Sequence, residues 1–244
     1  MRRQAEKFGA RTDIDEVVEV DFTKGSPFYL KTHGQEYEAN AVILCTGASP
    51  RRLGVPGEED FIGRGVSFCA TCDGFFFRDK DVVVVGGGDS ALEEGLFLTK
   101  FANQVRVIHR RDSLRAGHTL TERAQKNEKV SFIWDTVVEG VVGNGAVEAV
   151  AVKNVKTGAQ EQLATDGVFV YIGHYPNTWL YEGQLEMDGH NYLITDHLMM
   201  TSVPGVFAAG EVQDPVFRQV VSSAGQGCQA AISAERWLAA RGIE

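Results

Sequence analysis

Residues 81–91 read DVVVVGGGDSA, an apolar run that is followed at once by a glycine triplet. The run predicts a buried parallel strand, and the residues after the triplet, SALEEGLFLTK, predict a helix. In this setting the residues from Gly86 to Ala91 match G-x-G-x-x-A, the pattern of a dinucleotide-binding turn. The first glycine permits the tight turn, the second lets the backbone approach a pyrophosphate, and the helix N-terminus faces the phosphates. The stretch therefore predicts an α/β domain with a dinucleotide site at Gly86, Gly88, Asp89, Ser90 and Ala91.

The end of the next predicted strand, VRVIHRR (105–111), indicates which dinucleotide is bound. An NAD-binding domain usually places Asp or Glu there to hold the ribose, about 20 residues beyond the glycines. This chain instead has His109 followed by three nearby arginines, which we call the arginine cluster: Arg110, Arg111 and Arg115. Guanidinium groups match phosphate oxygens, so the cluster favours the 2′-phosphate of NADPH. The alternative is a solvated basic patch whose charge balances that of Asp112 and other nearby acids.

The composition is that of a globular protein. The chain has 244 residues, of which 43% are hydrophobic and 23% charged, and it is long enough for two modest domains. No apolar run approaches the roughly 18 residues that span a bilayer, and the start, MRRQAEKFGA, is not a secretory signal, so we expect a cytoplasmic protein without a membrane partner. The net charge of −9 argues against a nucleic-acid partner and permits a protein partner or a charged small molecule.

A second motif, SFCATCDGFF (67–76), carries a Cys-x-x-Cys pair. In such a pair one thiolate attacks a disulfide and the other resolves it, and the spacing keeps the sulfurs of Cys69 and Cys72 within bonding reach. The adjacent carboxyl group of Asp73 would exchange a proton with the leaving thiolate, although helix capping or solvent exposure is the alternative role. Because hydride moves two electrons at once, a flavin is the usual relay between a nicotinamide and a disulfide.

The other cysteines do not extend this pair into a metal site. A structural zinc site usually combines two close cysteine pairs, and this chain has one. Cys45 lies in a predicted strand and Cys228 in a predicted helix, and we expect both to be small, buried residues. The sequence thus predicts no metal.

The order of patterns predicts two domains. The first ten residues read as the end of a helix, VVEVDF (17–22) and FYLK (28–31) as antiparallel strands joined by the KGSP turn, and AVILCTGA (41–48) as a fully buried parallel strand that opens onto a ligand. A connection rich in proline and glycine follows at 49–57.

The chain then enters a second domain and returns from it. HYPNT (174–178) marks the way back, after which VPGVFAAGEVQD predicts another short buried strand and VSSAGQGCQAAISAERWLAARG a helix. We therefore expect residues 1–50 and 179–244 to form one domain and residues 51–178 the other.

Several motifs in this order closely resemble those of the low-molecular-weight, bacterial-type thioredoxin reductases: CATCDG, GGGxSAxEE, HRRxxxRA, IGHxPNT, PGVFAAGEV and RQxxxSAGxGC. The resemblance covers essentially the whole chain. It implies a flavoprotein homodimer of two Rossmann-like, doubly wound, three-layer domains, in which the NADPH domain is inserted into the FAD domain. It also implies that electrons pass from NADPH to FAD, then to the Cys69–Cys72 disulfide and finally to thioredoxin.

The resemblance assigns roles to individual residues. The redox pair falls on Cys69 and Cys72 and the proton donor on Asp73, while the 2′-phosphate ligands fall on the arginine cluster. Flavin contacts fall on Thr46, Gly47, Gly210, Glu211, Arg218 and Gln219. Family members usually have aspartate at the position of Glu211, so its hydrogen bond to the ribityl chain of the flavin is expected to shift by a methylene.

The front of the chain departs from the family pattern. The family opens with a strand and a glycine turn that cradle the FAD pyrophosphate, and nothing before Phe8 supplies them. The chain resembles a reductase without this first segment, and we expect it to bind NADPH and retain little FAD. Two alternatives remain: the reductase component of a peroxiredoxin system, which generally has a different Cys-x-x-Cys interior, and a truncated NADPH-binding module without flavin or turnover.

Overall fold

The computed structural model describes residues 2–243, which form two compact units. Unit 1 combines the residues up to Ser49 with those from Tyr175 onward, and unit 2 is Pro50–His174. Unit 2 is therefore inserted between the two parts of unit 1. The sequence analysis put these crossings after residues 50 and 178.

The first part of unit 1 is a short exposed helix followed by an antiparallel sheet. The predicted strands on either side of the KGSP turn are confirmed, and a third strand that the sequence analysis did not identify completes the sheet in the order β1-β2-β3. The aromatic rings of Phe22 and Phe28 are fully buried beside this sheet and meet edge to face at 5.7 Å. The elements are α1 (Arg2–Lys7), β1 (Val17–Asp21), β2 (Phe28–Thr32), β3 (Glu36–Ala39), β4 (Val42–Leu44) and β5 (Ala48–Pro50).

Unit 2 is built on a parallel sheet of five strands in the order β6-β13-β7-β8-β9. The predicted succession of strand, glycine turn and helix is confirmed, with β7 followed by α3. A second, antiparallel sheet has the order β10-β11-β12. The elements are β6 (Val66–Ser67), α2 (Ala70–Asp73), β7 (Asp81–Val85), α3 (Asp89–Leu98), β8 (Gln104–Ile108), α4 (His118–Gln125), β9 (Val130–Ile133), β10 (Thr136–Gly143), β11 (Val147–Asn154), β12 (Gln160–Ala164) and β13 (Gly167–Val170). The strand β14 (His174–Pro176) begins at the last residue of unit 2 and continues into unit 1.

The valine run of β7 is buried on both of its faces. Val82 and Val84 pack with Leu92 and Leu98 of α3, whereas the alternate residues Val83 and Val85 pack with valines of the antiparallel sheet. Successive side chains of a strand point to opposite faces, so a strand covered on both sides needs apolar residues without alternation. Unit 2 thus has three layers, which confirms the predicted α/β class: helices, parallel sheet and antiparallel sheet.

The second part of unit 1 contributes β15 (Val206–Ala208) and the long helix α5 (Val220–Ala239). β15 pairs with β4 in parallel, with Phe207 opposite Ile43. Phe207 is fully buried against Ala230 and Ala234 of α5, but Ile43 is 37% exposed. The prediction of a fully buried strand at 41–48 is therefore wrong at its central residue, whose partner Phe207 on β15 is the one that packs against α5.

The expectation that Cys45 and Cys228 are buried is also wrong, because both thiols are exposed. Cys45 comes directly after the last residue of β4, beyond the part of the strand that packs in the core. Cys228 precedes the buried Ala230 by two positions, which at 3.6 residues per turn places it on the opposite face of α5.

Within the described residues, every helix is too short or too polar to cross a bilayer.

Candidate active site

The glycine turn after β7 has a different steric reason for glycine at each of its first two positions. Gly86 has φ of +153°, and a Cβ there would lie 2.4 Å from the carbonyl oxygen of Tyr171. A Cβ on Gly87 would lie 2.3 Å from the imidazole ring of His109. At Gly88, which precedes α3, no atom lies within 4 Å of the added Cβ. The backbone of Gly88 is therefore open to a ligand at the N-terminus of a ten-residue helix.

Two cavities lie along this turn. The larger, of about 460 Å³, is lined by Gly86, Gly87, His109 and two members of the arginine cluster, Arg110 and Arg115. The smaller, of about 240 Å³, is lined by Gly88, Asp89, Ser90, Ala91 and again Arg115. Arg111 lines neither cavity. The structure thus brings the predicted dinucleotide residues other than Arg111 together, with Arg115 common to both cavities.

The larger cavity has a basic wall that the sequence analysis did not assign. Arg51 and Arg52 line it, and the loop that carries them is held by the buried side chain of Glu58. The two carboxylate oxygens of Glu58 accept hydrogen bonds of 2.8 Å from the backbone nitrogens of Leu53 and Gly54. The sequence offered no signal for this clamp, since a glutamate in a connecting segment is usually solvated.

His109 lies beneath Gly87 with 5% of its surface exposed. Burial lowers the pKa of His109, the charges of the arginine cluster lower it further, and a hydrogen bond with the Ser113 backbone opposes them, so the ring is neutral at neutral pH. Its Nε2 has no hydrogen-bond partner within residues 2–243. A buried polar atom of this kind, on the wall of a cavity with four arginines, fits a polar, anionic ligand.

The arginine cluster makes no ion pair with an acid among the residues that the structure describes. Asp112, the acid that the alternative interpretation invoked, pairs instead with Lys156, whose Nζ lies 2.9 Å from its Oδ2. The guanidinium groups therefore remain available to a phosphate.

Cys69 and Cys72 form a disulfide, with their Cα atoms 5.3 Å apart, which confirms the predicted pairing. Cys69 precedes the short helix α2, and its sulfur accepts a hydrogen bond of 3.2 Å from the backbone nitrogen of Cys72. The hydroxyl oxygen of Thr71 lies 3.3 Å from the same sulfur. Cys72 itself is exposed, so a protein disulfide could reach the pair.

The carboxyl group of Asp73 is tied to the backbone of the redox pair through Ser67. The buried hydroxyl of Ser67 donates to Oδ2 of Asp73 at 2.6 Å and accepts from the backbone nitrogen of Cys69 at 3.1 Å. The Asp73 side chain makes no capping hydrogen bond to the turn that follows it. Sequence reasoning missed Ser67, whose only signal is its position two residues before the first cysteine.

Tyr171 and Glu94 form a second polar pair, which holds the start of α2. The backbone nitrogen of Ala70 donates to the hydroxyl oxygen of Tyr171 at 2.6 Å and to Oε2 of Glu94 at 3.2 Å. The Tyr171 hydroxyl in turn donates to the same Glu94 oxygen at 3.3 Å. Burial raises the pKa of both side chains, although the hydrogen bonds that Glu94 accepts oppose the rise in its pKa.

The residues predicted to contact a flavin lie in unit 1, at one edge of its parallel strand pair. Leu44 and Ala208 are opposite each other in β4 and β15, so the segments that follow these strands leave the sheet at the same edge. Thr46 and Gly47 follow β4, and Gly210 and Glu211 follow β15. Arg218 and Gln219 immediately precede α5.

Local hydrogen bonds fix these segments. The hydroxyl of Thr46 donates to the carbonyl oxygen of Asn177 at 2.8 Å, and the backbone nitrogen of Gly210 donates to Gln226 at 2.9 Å. These residues fit part of a flavin dinucleotide. Within residues 2–49 and 175–243, neither α1 nor α5 directly follows a strand and a glycine turn.

A dinucleotide turn and a redox-type disulfide in one inserted unit define a dinucleotide-dependent disulfide oxidoreductase. Comparison with known proteins supports this class, because the family model described as pyridine nucleotide-disulphide oxidoreductase matches residues 3–227. A thioredoxin reductase of Peptoclostridium litorale is 48% identical over 98% of this chain and 77% of its own length. One from Rickettsia bellii is 51% identical over 98% of this chain and 78% of its own.

Solved structures give the same result. The thioredoxin reductase of Streptococcus pyogenes superposes with a TM-score of 0.90 at 44% identity, covering 98% of this chain and 78% of the other. That of Giardia duodenalis also reaches 0.90, at 39% identity, over 98% and 79%. The chain belongs to the pyridine nucleotide-disulphide oxidoreductase family and, within it, to the bacterial-type thioredoxin reductases. It spans 77% of the length of the first of these relatives.

Proposed function

We propose that the chain carries reducing equivalents from NADPH, by way of FAD, to the Cys69–Cys72 disulfide and from there to thioredoxin. The observation that carries the proposal is the juxtaposition, within unit 2, of a glycine turn for a dinucleotide and a disulfide. Tyr171 links the two, because its hydroxyl accepts a hydrogen bond from the backbone nitrogen of Ala70, next to Cys69, and its carbonyl oxygen lies against Gly86. The relatives named as thioredoxin reductases support thioredoxin as the protein substrate.

NADPH is held by the turn and the arginines. The pyrophosphate lies against the open backbone of Gly88 and the N-terminal amides of α3, where a helix favours negative charge. Arg110 and Arg115, which line the larger cavity, pair with the 2′-phosphate, and Arg111 adds its charge from the same loop. The neutral ring of His109 offers Nε2 to the nucleotide.

The redox step takes place at the sulfurs. When bound, FAD supplies the relay that converts a two-electron hydride donor into a reductant for a disulfide. The Cys69–Cys72 disulfide takes up two electrons and two protons and becomes a dithiol. One thiolate then attacks the thioredoxin disulfide to give a mixed disulfide, and the other cysteine resolves it, which reforms the original bond and releases a dithiol. Asp73, oriented by Ser67, protonates the leaving thiolate.

Unit 1 supplies the flavin contacts in this proposal, at Thr46, Gly47, Gly210, Glu211, Arg218 and Gln219. The position of these residues around one sheet edge supports the assignment. We propose that the 244-residue chain nevertheless holds FAD incompletely, for want of a pyrophosphate cradle among its described unit 1 residues. A homodimer, which the sequence resemblance implies, is part of the same proposal.

The thiol-transfer step is tested without any flavin. The chain is reduced with dithiothreitol, freed of reductant and mixed with oxidised thioredoxin, and the thiols of both proteins are then counted by alkylation. We expect one disulfide to move from thioredoxin to Cys69–Cys72, and we expect Cys69→Ser or Cys72→Ser to stop the transfer or trap a mixed disulfide. Cys45→Ser, at an exposed thiol outside the pair, is the matched control and should transfer normally. Failure of the reduced wild-type chain to reduce thioredoxin would exclude the proposed substrate.

The nucleotide assignment is tested by binding. We expect Arg110→Ala combined with Arg111→Ala to weaken NADPH far more than NADH, because only NADPH carries the phosphate that these groups would pair. Each charge-assisted hydrogen bond is worth about 1.5–3 kcal/mol. Equal losses for both nucleotides would refute the assignment and favour an NADPH-independent role for the cavity.

A further inference from the structure

Lys156 forms ion pairs with two acids next to the loop that carries the arginine cluster. Its Nζ lies 2.9 Å from Oδ2 of Asp112 and 3.0 Å from Oδ2 of Asp135. Asp112 directly follows Arg111, so it lies within the loop that carries the arginine cluster. Asp135 lies in the turn between β9 and β10, and its backbone nitrogen donates to the carbonyl oxygen of Arg111 at 3.2 Å. Both acids are thus linked to Arg111, one as its neighbour in the chain and the other through a backbone hydrogen bond.

The position of Lys156 is built into the antiparallel sheet. Lys156 lies in the turn between β11 and β12, where the side chain of Asn154 accepts hydrogen bonds from the backbone nitrogens of Lys156 and Thr157 at 3.0 and 2.9 Å. A further contact fixes this turn against the turn between β9 and β10, since the backbone nitrogen of Val155 donates to the carbonyl oxygen of Asp135 at 2.6 Å. The ammonium group is therefore directed at the two acids by the fold.

The ion pairs change the electrostatics of the loop. The two hydrogen bonds to the acids raise the pKa of Lys156, and Lys156 lowers the pKa of Asp112, so the Lys156–Asp112 pair is charged at neutral pH. An arginine that pairs with a neighbouring carboxylate loses part of its capacity to bind a phosphate. While Lys156 neutralises Asp112, the arginine cluster keeps its full positive potential.

We propose that Lys156 is a specificity-determining residue for NADPH, acting through Asp112 and Asp135 rather than by contact with the nucleotide. The inference rests on the proposed function, because it assumes that the arginine cluster binds the 2′-phosphate. Lys156 withholds the two carboxylates from the arginines and holds the loop against the β11–β12 turn. Removing its charge frees Asp112 to pair with the cluster and lowers the affinity for the 2′-phosphate alone.

The test measures dissociation constants of NADPH and NADH for the 244-residue chain by titration at low ionic strength. Lys156→Gln should weaken NADPH about two- to fivefold, the range of exposed ion pairs, and leave NADH unchanged. Adding Asp112→Asn to that variant should restore most of the NADPH affinity, because the released carboxylate is then gone. Lys153→Gln is the matched control: Lys153 lies on β11 and its Nζ is 3.5 Å from Glu139, so it should alter neither constant.

The outcomes separate this inference from the function on which it rests. A wild-type chain that binds NADPH no better than NADH would overturn both. A wild-type chain that prefers NADPH, with the same preference in Lys156→Gln, would overturn the role of Lys156 alone. Equal weakening of NADPH and NADH binding in Lys156→Gln would show a merely structural effect. A double variant whose NADPH affinity is not restored would show that Asp112 is not the competing group. Either result would also overturn the inference.

Discussion

The hydroxyl oxygen of Tyr171 lies 2.6 Å from the backbone nitrogen of Ala70, 101 positions earlier in the chain. The backbone nitrogen of Tyr171 donates to the carbonyl oxygen of Val85 at 2.8 Å, directly before the glycine turn. One buried residue therefore connects the helix of the redox pair with the nucleotide-binding turn. Movement of either segment relative to the other would break a hydrogen bond inside the core.

Tyr171→Phe should lower the free energy of unfolding by about 1 kcal/mol, the typical net value of one buried hydrogen bond. The ring remains, so packing is preserved, and Ala70 keeps its weaker bond to Glu94. The change is measured by urea denaturation followed by circular dichroism. Tyr175→Phe, at a half-exposed tyrosine, is the control and should change stability by less than about 0.5 kcal/mol. Similar values for the two variants would mean that the Tyr171 hydroxyl does not hold α2.

Ser67→Ala should slow the transfer of the disulfide from thioredoxin to Cys69–Cys72 while NADPH affinity stays the same. The variant removes the donor that orients Asp73 and the acceptor for the Cys69 backbone nitrogen. We expect a loss of about tenfold, smaller than the 10²–10⁴ that a positioned general acid contributes. Stopped-flow mixing of reduced chain with oxidised thioredoxin gives the rate.

The exposed Ser131 of β9 provides the control, as Ser131→Ala. If Ser67→Ala transfers the disulfide at the rate of this control, the orienting role of Ser67 is wrong.

Two neighbouring glycines should respond differently to alanine. Gly87→Ala places a methyl group 2.3 Å from the His109 ring and should destabilise the chain by about 1–3 kcal/mol, as overpacking of a core does. Gly88→Ala meets open space at a φ of −98°, so the fold should tolerate it. Its methyl group would nevertheless occupy the approach of the pyrophosphate and weaken NADPH by about tenfold or more.

Thermal unfolding and nucleotide titration of both variants separate these effects. Unchanged NADPH affinity in Gly88→Ala would place the pyrophosphate elsewhere.

The local motifs were predictable from sequence because their signals lie within a few residues. The valine run of β7 is apolar at every position because Val82 and Val83 face different layers, and both layers are buried. The glycine turn and the Cys-x-x-Cys pair likewise depend on neighbours in the chain. These features determined the class of the fold and the chemistry of the site before any tertiary contact was known.

The supporting contacts were not predictable, because their partners are distant in sequence. Lys156 and Asp112 are 44 positions apart, and either residue alone reads as an ordinary surface charge. The wrong prediction that Cys45 and Cys228 are buried has a related cause. Residue type predicts the element but not the face, and only the packing of α5 and β4 decides which positions are covered.

His109 should make the stability of the chain depend on pH. Burial lowers its pKa in the folded state, so below the ordinary value of about 6.5 the unfolded chain binds a proton that the folded chain does not. The free energy of unfolding should therefore fall as pH decreases from 7.5 to 5.5, by at most about 1.4 kcal/mol per pH unit from this group. Above pH 7.5 His109 makes no contribution to the pH dependence of the free energy of unfolding.

His109→Asn should remove this part of the slope, measured by urea denaturation at each pH, even where it lowers stability overall. The same slope in this variant and in the wild-type chain would show that His109 is not the group responsible.

The last prediction concerns flavin retention. Thr46, Gly47 and Gly210 lie around one edge of the β4–β15 pair, but among the described residues of unit 1 neither α-helix directly follows a strand and a glycine turn. Ile43 of β4 and Ile232 of α5 are partly exposed. Unit 2, in contrast, has its own glycine turn, arginines and disulfide.

The purified 244-residue chain should therefore bind NADPH yet show little absorbance at about 450 nm, where a bound flavin absorbs. The fluorescence of added FAD should be quenched only weakly, and the quenching should not saturate at stoichiometric amounts. NADPH should reduce thioredoxin only slowly in the presence of the chain. Gly88→Ala provides an internal check, because it should weaken NADPH binding by about tenfold or more and leave the flavin absorbance unchanged. Stoichiometric flavin in the isolated chain, or rapid reduction of thioredoxin by NADPH, would show that the contacts of unit 1 suffice to order the cofactor.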